Sequence, residues 1–123
     1  NIKKLTLVEL KNIKFEDNRE IPTTIEVFNA LENYANDLRY SCDIRDIKTG
    51  LKLIDIATEF DILDKIEITE RNHNVLLKLR EYDKKIKLVH TLTDSISSIN
   101  DNIVDVEILK DLKIEAINIQ SWR

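Results

Sequence analysis

Glycine is nearly absent from this chain, which contains one glycine, one proline and no methionine among its 123 residues. Loops that bind nucleotide phosphates need several glycines, because only glycine lets the backbone approach the phosphates closely. Gly50 cannot form such a loop alone. The composition therefore excludes a P-loop and a dinucleotide-binding fingerprint.

Cysteine and long apolar runs are also scarce. Cys42 is the one cysteine, so no disulfide can form within the sequence, and a lone thiol is typical of a reducing compartment. We expect this side chain to be buried. No apolar run approaches the roughly 20 residues that a membrane-spanning helix needs. Together these absences predict a cytoplasmic protein without a membrane partner.

An excess of positive charge is missing as well. The formal net charge is −4 and the isoelectric point is near 5.2, whereas binding to a nucleic-acid backbone usually depends on clustered Lys and Arg. Nucleic acid is therefore a disfavoured partner. Hydrophobic residues at 42% and charged residues at 34% are proportions of a folded protein. The length predicts a single domain over residues 1–123.

The N-terminal third predicts a β-hairpin followed by a helix. Apolar residues alternate within residues 5–15 and an acidic turn follows them, which is typical of two paired strands. After Pro22, Thr23 and Glu26 match a capping box, so a helix should begin at residue 24 and end near residue 39 or 40.

Further elements are predicted from caps and short alternating runs. Ser41 can cap a second helix, residues 65–68 alternate like a strand, and Thr69 can cap the next helix. Residues 104–122 fit either strands or a helix, and their β-branched residues favour strands. We therefore predict an α+β fold, in which a small antiparallel sheet, made of the N-terminal hairpin and short strands, packs against three to four helices.

The longest regular pattern lies between residues 75 and 96, where apolar side chains recur at alternating steps of four and three. Such spacing is typical of a helix in the core, which is the simpler interpretation, or of a seam shared with another copy or partner. Residues 70–99 could form one helix, or two with a break near residues 81–84. The interface candidates are Leu79, Tyr82, Ile86, Val89 and the C-terminal Trp122.

The residues that carry catalytic or metal-binding chemistry are few. His73 and His90 stand seventeen residues apart, so they cannot form the i, i+4 pair with which one helix binds a metal. His90 and Asp94 are most simply an exposed pair on a helix. No familiar catalytic motif occurs. The sequence therefore predicts no catalytic residue, no metal and no cofactor.

Acidic residues recur in two sections of the chain and suggest a surface that binds a basic partner. Ordinary solvated faces explain the same residues more simply. The candidates for an acidic surface are Asp55, Glu59, Asp61, Asp64, Asp101 and Asp105.

The N-terminal segment KKLTLVELKNIKFEDNREIPTTIEVFNALEN resembles the start of small uncharacterised bacteriophage and prophage proteins. The resemblance implies a virion, assembly or host-modulating role without known catalytic residues. We therefore predict a non-enzymatic accessory protein that acts through protein contacts, with a homo-oligomer as one form. An acidic inhibitor of a host nucleic-acid-handling protein is the alternative, and a metal-dependent or Cys/His enzyme is the least favoured.

Overall fold

The computed structural model describes residues 4–34, 37–92 and 105–119. The chain divides into two compact units, residues 1–34 and residues 35–123. The first unit contains α1 (Leu7–Lys11), α2 (Thr24–Leu31) and a 3-10 turn at Glu32–Tyr34. An ion pair between Lys11 and Glu26 connects its two helices.

Capping determines where both helices of the first unit begin. The Thr23 hydroxyl accepts a hydrogen bond from the Glu26 amide, and the Glu26 carboxylate accepts one from the Thr23 amide. The predicted helix start at residue 24 is confirmed, although α2 ends earlier than predicted. The predicted hairpin is reduced to one antiparallel bridge between Lys14 and Glu20 around the predicted turn. Its first strand is wrong, because Thr6 and Glu9 form a second capping box and start α1 there.

The second unit is an α/β structure with four parallel strands. These are β1 (Tyr40–Asp43), β2 (Ile66–Glu70), β3 (Lys87–Thr91) and β4 (Ala116–Asn118), paired in the order of the chain. Between them lie α3 (Ile47–Glu59), α4 (His73–Tyr82) and α5 (Val106–Asp111). The predicted α+β fold with an antiparallel sheet is therefore wrong.

Sequential parallel strands constrain where the helices lie. Connections between parallel strands are nearly always right-handed, so consecutive crossovers in one direction place their helices on one face of the sheet. In agreement with this, α4 contacts α3, β2 and β3. Strand, helix and next strand repeated in this order are the arrangement of β/α barrels.

Over its described part, residues 75–92, this apolar pattern belongs to two different elements, and residues 93–96 lie outside the described residues. α4 ends at Tyr82, and the Asp83 carboxylate accepts hydrogen bonds from the amides of Lys85 and Ile86, which turns the chain. Residues 87–91 then form β3. β3 buries Leu88 and Val89 on its two faces, so its apolar residues extended the helical spacing by coincidence.

Other predicted boundaries are also corrected. The strand predicted at residues 65–68 is confirmed as β2, but Thr69 lies inside that strand and Asn72 caps α4. Ser41 lies in β1, and Asp46 caps α3. In the tail, residues 106–111 form a helix and residues 116–118 form a strand.

The core of the second unit lies between the sheet and the helices. Its largest fully buried side chains come from β2, β3, α4 and the turn before β3: Ile66, Ile68, Leu76, Leu79, Ile86 and Leu88. Gly50 lies where α3 meets this core, since a Cβ there would be 2.7 Å from Leu79 Cδ2 and 2.8 Å from Ile44 Cδ1. In the described ranges, no helix is both long and apolar enough to cross a membrane.

Candidate functional site at the carboxyl ends of the strands

The carboxyl ends of parallel strands are where β/α proteins bind ligands, because the loops that follow the strands converge there. In this chain those ends are polar. β1 ends at Asp43, β2 at Glu70, β3 at Thr91 and β4 at Asn118. We therefore take the carboxyl edge of the sheet as the candidate functional site.

The strand register divides the polar side chains between two faces. Glu70 is paired with His90, so both project from the same face of the sheet. His73, the first residue of α4, contacts His90, which identifies this as the face covered by α4. Asp43 is paired with Thr69, one residue before Glu70, and therefore belongs to the opposite face.

Two imidazoles meet on the helix-covered face. His73 Nε2 is 3.2 Å from His90 Nε2, and the two rings are tilted by 44° with centroids 4.4 Å apart. His90 is only 6% exposed, whereas His73 is partly exposed. Burial lowers the pKa of His90, and the neighbouring His73 lowers it further. Neutral His90 is therefore favoured near pH 7.

The hydrogen bond to the Glu70 carbonyl assigns the proton position of neutral His90. His90 Nδ1 lies 3.3 Å from the carbonyl oxygen of Glu70. Because a carbonyl oxygen can only accept, the proton of neutral His90 is on Nδ1 and the lone pair is on Nε2. His73 Nε2 can then donate a hydrogen bond to His90 Nε2.

Glu70 is a buried carboxylate with one unsatisfied oxygen. Its side chain is 6% exposed, and Oε1 accepts hydrogen bonds from the amides of Arg71 at 2.6 Å and Asn72 at 3.0 Å. Oε2 is buried without a hydrogen-bond partner in the described part of the chain. A buried oxygen without a hydrogen-bond partner destabilises the fold and is rare in proteins, so Oε2 is a candidate ligand-binding atom.

On the opposite face the strands end in side chains suited to a polar ligand. Asp43 is exposed, and Asn118 Nδ2 lies 3.5 Å from Thr91 Oγ1. Arg45 follows β1 and Arg71 follows β2; both are exposed, and neither guanidinium pairs with a carboxylate among the described residues. Two free guanidiniums at one edge suit an anionic ligand.

The interface candidates lie mostly inside the second unit. Leu79, Ile86 and Val89 are buried, at 0%, 1% and 9% exposure. Tyr82 is 56% exposed, and its hydroxyl donates to Asp55 Oδ1 over 2.6 Å. Trp122 lies outside the described residues. The buried side chains therefore stabilise this chain and are not accessible as a surface.

Among the described residues, most of the acidic candidates lie away from the carboxyl edge. Glu59 is the last residue of α3, and Asp61 and Asp64 lie between α3 and β2, near the amino ends of the strands. Asp55 accepts from Tyr82, and Asp105 caps α5. Asp101 lies outside the described residues.

We did not predict from the sequence that His73, His90 and Glu70 lie close together. Residues 75–96 were predicted to be helical, which places His90 on a helix instead of at the end of a strand. The contact depends on the parallel pairing of β2 and β3, which joins residues seventeen positions apart. Cys42, expected to be buried, is half-buried, and burial raises the pKa of its thiol.

Comparisons with known proteins show a similarity to solved structures. No protein-family model and no curated protein matches the chain. Among solved structures, a candidate glycerophosphodiester phosphodiesterase from Galdieria sulphuraria is similar, with a TM-score of 0.80 and 17% identity. The match covers 96% of this chain and 48% of that chain. At this identity the similarity establishes the fold, and this chain spans about half the length of that protein.

This match corrects the functional predictions. The predicted non-enzymatic accessory protein is wrong, because the fold is that of a large part of a candidate phosphodiesterase and not of a small structural module. The same finding contradicts the alternative prediction of an acidic inhibitor. The resemblance to bacteriophage proteins stays a prediction, since no comparison tests it.

Proposed function

We propose that the protein containing these residues hydrolyses phosphodiesters, and that the substrate binds at the carboxyl ends of β1 to β4. The observation that carries this proposal is the fold similarity to a candidate glycerophosphodiester phosphodiesterase over 96% of the chain. Glycerophosphodiesters are accordingly the first substrate class to test. The polar residues at the carboxyl edge support the same assignment.

Arg45 and Arg71 can bind the phosphodiester anion. A guanidinium offers two parallel N–H donors that match two phosphate oxygens, and it stays charged at any relevant pH. Both residues follow strand ends and are exposed. In hydrolysis they would also stabilise the negative charge that develops on the phosphoryl oxygens.

Asp43 can orient the attacking water on the same face as Thr91 and Asn118. Its carboxylate is exposed at the end of β1 and can accept a hydrogen bond from that water. The hydroxyl of Thr91 and the amide of Asn118 can bind the alcohol groups of a glycerol moiety. Together these side chains provide an acceptor for water and donors for the substrate.

The two histidines are excluded from flanking the reacting phosphorus. In-line displacement places the attacking and leaving oxygens on opposite sides of phosphorus. The Nε2 atoms of His73 and His90 are 3.2 Å apart, which leaves no room for a phosphoryl group between them. They also lie on the other face of the sheet from Asp43.

Hydrolysis can be tested with the purified protein that contains these residues. It would be given glycerophosphocholine and bis(p-nitrophenyl) phosphate, with and without added divalent cations, and p-nitrophenyl phosphate as the monoester comparison. We expect diester cleavage that exceeds monoester cleavage. No cleavage of any diester under these conditions would contradict the proposal.

Arginine variants test where the diester binds. Arg45→Gln should raise KM by about tenfold, because the loss of one charged contact costs about 1.5 kcal/mol or more. Arg39→Gln is the matched control, since Arg39 lies before β1 at the opposite edge and pairs with Glu67 at 2.6 Å. An equal rise in KM for both variants would contradict binding at the carboxyl edge.

A further inference from the structure

We propose that His73 and His90 form a binding site for a divalent transition-metal ion such as Zn²⁺, on the helix-covered face at the carboxyl edge of the sheet. The site lies on the opposite face of the sheet from Asp43. It does not depend on the proposed hydrolysis, because its evidence is the contact between the imidazoles and the unsatisfied carboxylate beside them.

The separation of the two nitrogens suits a shared ion. Zinc binds imidazole nitrogens at about 2.0–2.1 Å with tetrahedral angles, which places two ligand nitrogens about 3.3 Å apart. The observed Nε2 to Nε2 distance is 3.2 Å. The rings are tilted by 44°. Ion binding would require the proton of His73 to move from Nε2 to Nδ1, after which a rotation of this more exposed imidazole would direct both Nε2 lone pairs at one ion.

The hydrogen bond of His90 prepares it for this role. Metal-binding histidines almost always donate their other N–H to a carboxylate or backbone carbonyl, which fixes the ring and leaves the lone pair for the metal. His90 Nδ1 lies 3.3 Å from the Glu70 carbonyl oxygen. Its Nε2 lone pair therefore points away from that carbonyl and towards His73.

Glu70 supplies the negative charge that a cation in this position requires. Its carboxylate is 6% exposed, has one unpartnered oxygen, and acts electrostatically on His90. A buried charge is stable only when it is paired or compensated. The hydrogen bonds from Arg71 and Asn72 serve only its other oxygen, so a bound cation would complete the compensation.

The ligand set predicts which ions bind. In the described ranges, no group of three His, Cys, Asp or Glu side chains is arranged to hold a metal ion. Water would therefore complete the coordination, reaching the ion from the partly exposed side of His73. Imidazole suits Zn²⁺, Ni²⁺ and Cu²⁺, whereas Mg²⁺ and Ca²⁺ prefer oxygen ligands.

Isothermal titration of metal-free protein with Zn²⁺ and Mg²⁺ near pH 7.5 tests the site. We expect one Zn²⁺ per chain and no binding of Mg²⁺. His73→Gln should weaken Zn²⁺ binding by at least about tenfold. Asn74→Gln, an exposed change at the next residue of α4, should leave the affinity unchanged.

A spectroscopic readout keeps the test independent of folding and of hydrolysis. Cu²⁺ bound to wild-type protein should show nitrogen ligation by electron paramagnetic resonance, and this signal should be lost in His73→Gln whose circular dichroism is unchanged. His90→Gln should lose it too if that variant folds. Absence of Zn²⁺ and Cu²⁺ binding, or unchanged binding in folded His73→Gln, would overturn the site.

Discussion

Buried charged side chains at the two ends of the sheet differ in how fully they are hydrogen-bonded. Near the amino ends, Arg80 is 7% exposed and donates to three backbone carbonyls, those of Leu112 at 2.9 Å, Lys84 at 2.9 Å and Lys113 at 3.1 Å. At the carboxyl ends, Glu70 is 6% exposed and keeps one oxygen without a partner. Both side chains belong to the same β/α unit.

This difference separates stability from function. Arg80 fixes the chain just before β3 and just before β4, so its hydrogen bonds hold the amino ends of the strands in place. The carboxyl ends instead retain unsatisfied and exposed polar groups, including Asp43 and Arg45. Barrel proteins divide their ends in the same way, with stability at one end and the binding site at the other. The predictions below test this division.

Replacing Arg80 should have the largest effect on stability. Arg80→Met removes three hydrogen bonds from a charged donor, each worth about 1.5–3 kcal/mol, and leaves the carbonyls of residues 84, 112 and 113 without it. Because such losses are not additive, we expect the free energy of unfolding to fall by about 4 kcal/mol. Urea denaturation would measure it. A fall as small as that caused by a surface substitution would show that the hydrogen bonds of Arg80 do not stabilise the amino ends of the strands.

Leu79 distinguishes a core residue from an interface residue. Leu79→Ala should lower the free energy of unfolding by about 2–5 kcal/mol, because the side chain is fully buried and its loss leaves a cavity. Leu77→Ala is the matched control on the same helix, since Leu77 is 44% exposed. Light scattering should show the same molar mass for both variants and wild type. A change of mass in Leu79→Ala alone would favour an interface instead.

The histidine pair predicts that acid weakens the fold. Burial and His73 lower the pKa of His90 in the folded state below its ordinary value of 6.5, while the hydrogen bond to the Glu70 backbone and the Glu70 carboxylate oppose the shift. The unfolded chain therefore binds a proton first as pH falls. The stability that neutral His90 contributes is present above the unfolded pKa and is lost as pH falls through the folded pKa.

Urea denaturation from pH 8 to pH 5 would measure this loss. The free energy of unfolding of wild type should approach that of His90→Gln as pH falls, because glutamine does not titrate in this range. A constant difference across the range would contradict the assignment of the pH dependence to His90.

Tyr82 should show the smallest effect, although it lies only two residues from Arg80. Its exposed hydroxyl donates to Asp55 at 2.6 Å, and this hydrogen bond raises the pKa of Tyr82 above its ordinary value of 10.0. Asp55→Asn should lower that pKa, as measured by absorbance during alkaline titration. The Tyr82→Phe variant would identify the absorbance signal of Tyr82. It should lower the free energy of unfolding far less than Arg80→Met does.

Local signals in the sequence predicted local structure well. The capping box at Thr23 gave the correct start of α2, and the alternation near residues 65–68 identified β2. The parallel sheet could not be found in the same way. Its strands are short and separated by helices, and β3 continued the apolar spacing of α4 closely enough to look like one helix.

The candidate site was less predictable for a related reason. The helix that Ser41 was predicted to cap would contain Asp43 and Arg45, because nothing in their spacing shows that a strand ends there. His73 and His90 become neighbours only when β2 and β3 pair in parallel register. Sequence patterns report which residues share an element, whereas this site is formed by residues from several elements.

The most direct test compares two exposed aspartates at opposite ends of the sheet. Asp43 follows β1 at the carboxyl edge, and Asp64 precedes β2 at the amino edge. We would measure kcat and KM for glycerophosphocholine in Asp43→Asn and Asp64→Asn. If the carboxyl edge is the active site, Asp43→Asn lowers kcat by about a hundredfold and Asp64→Asn leaves it unchanged. Equal activity in both variants, or a larger loss in Asp64→Asn, would contradict the account.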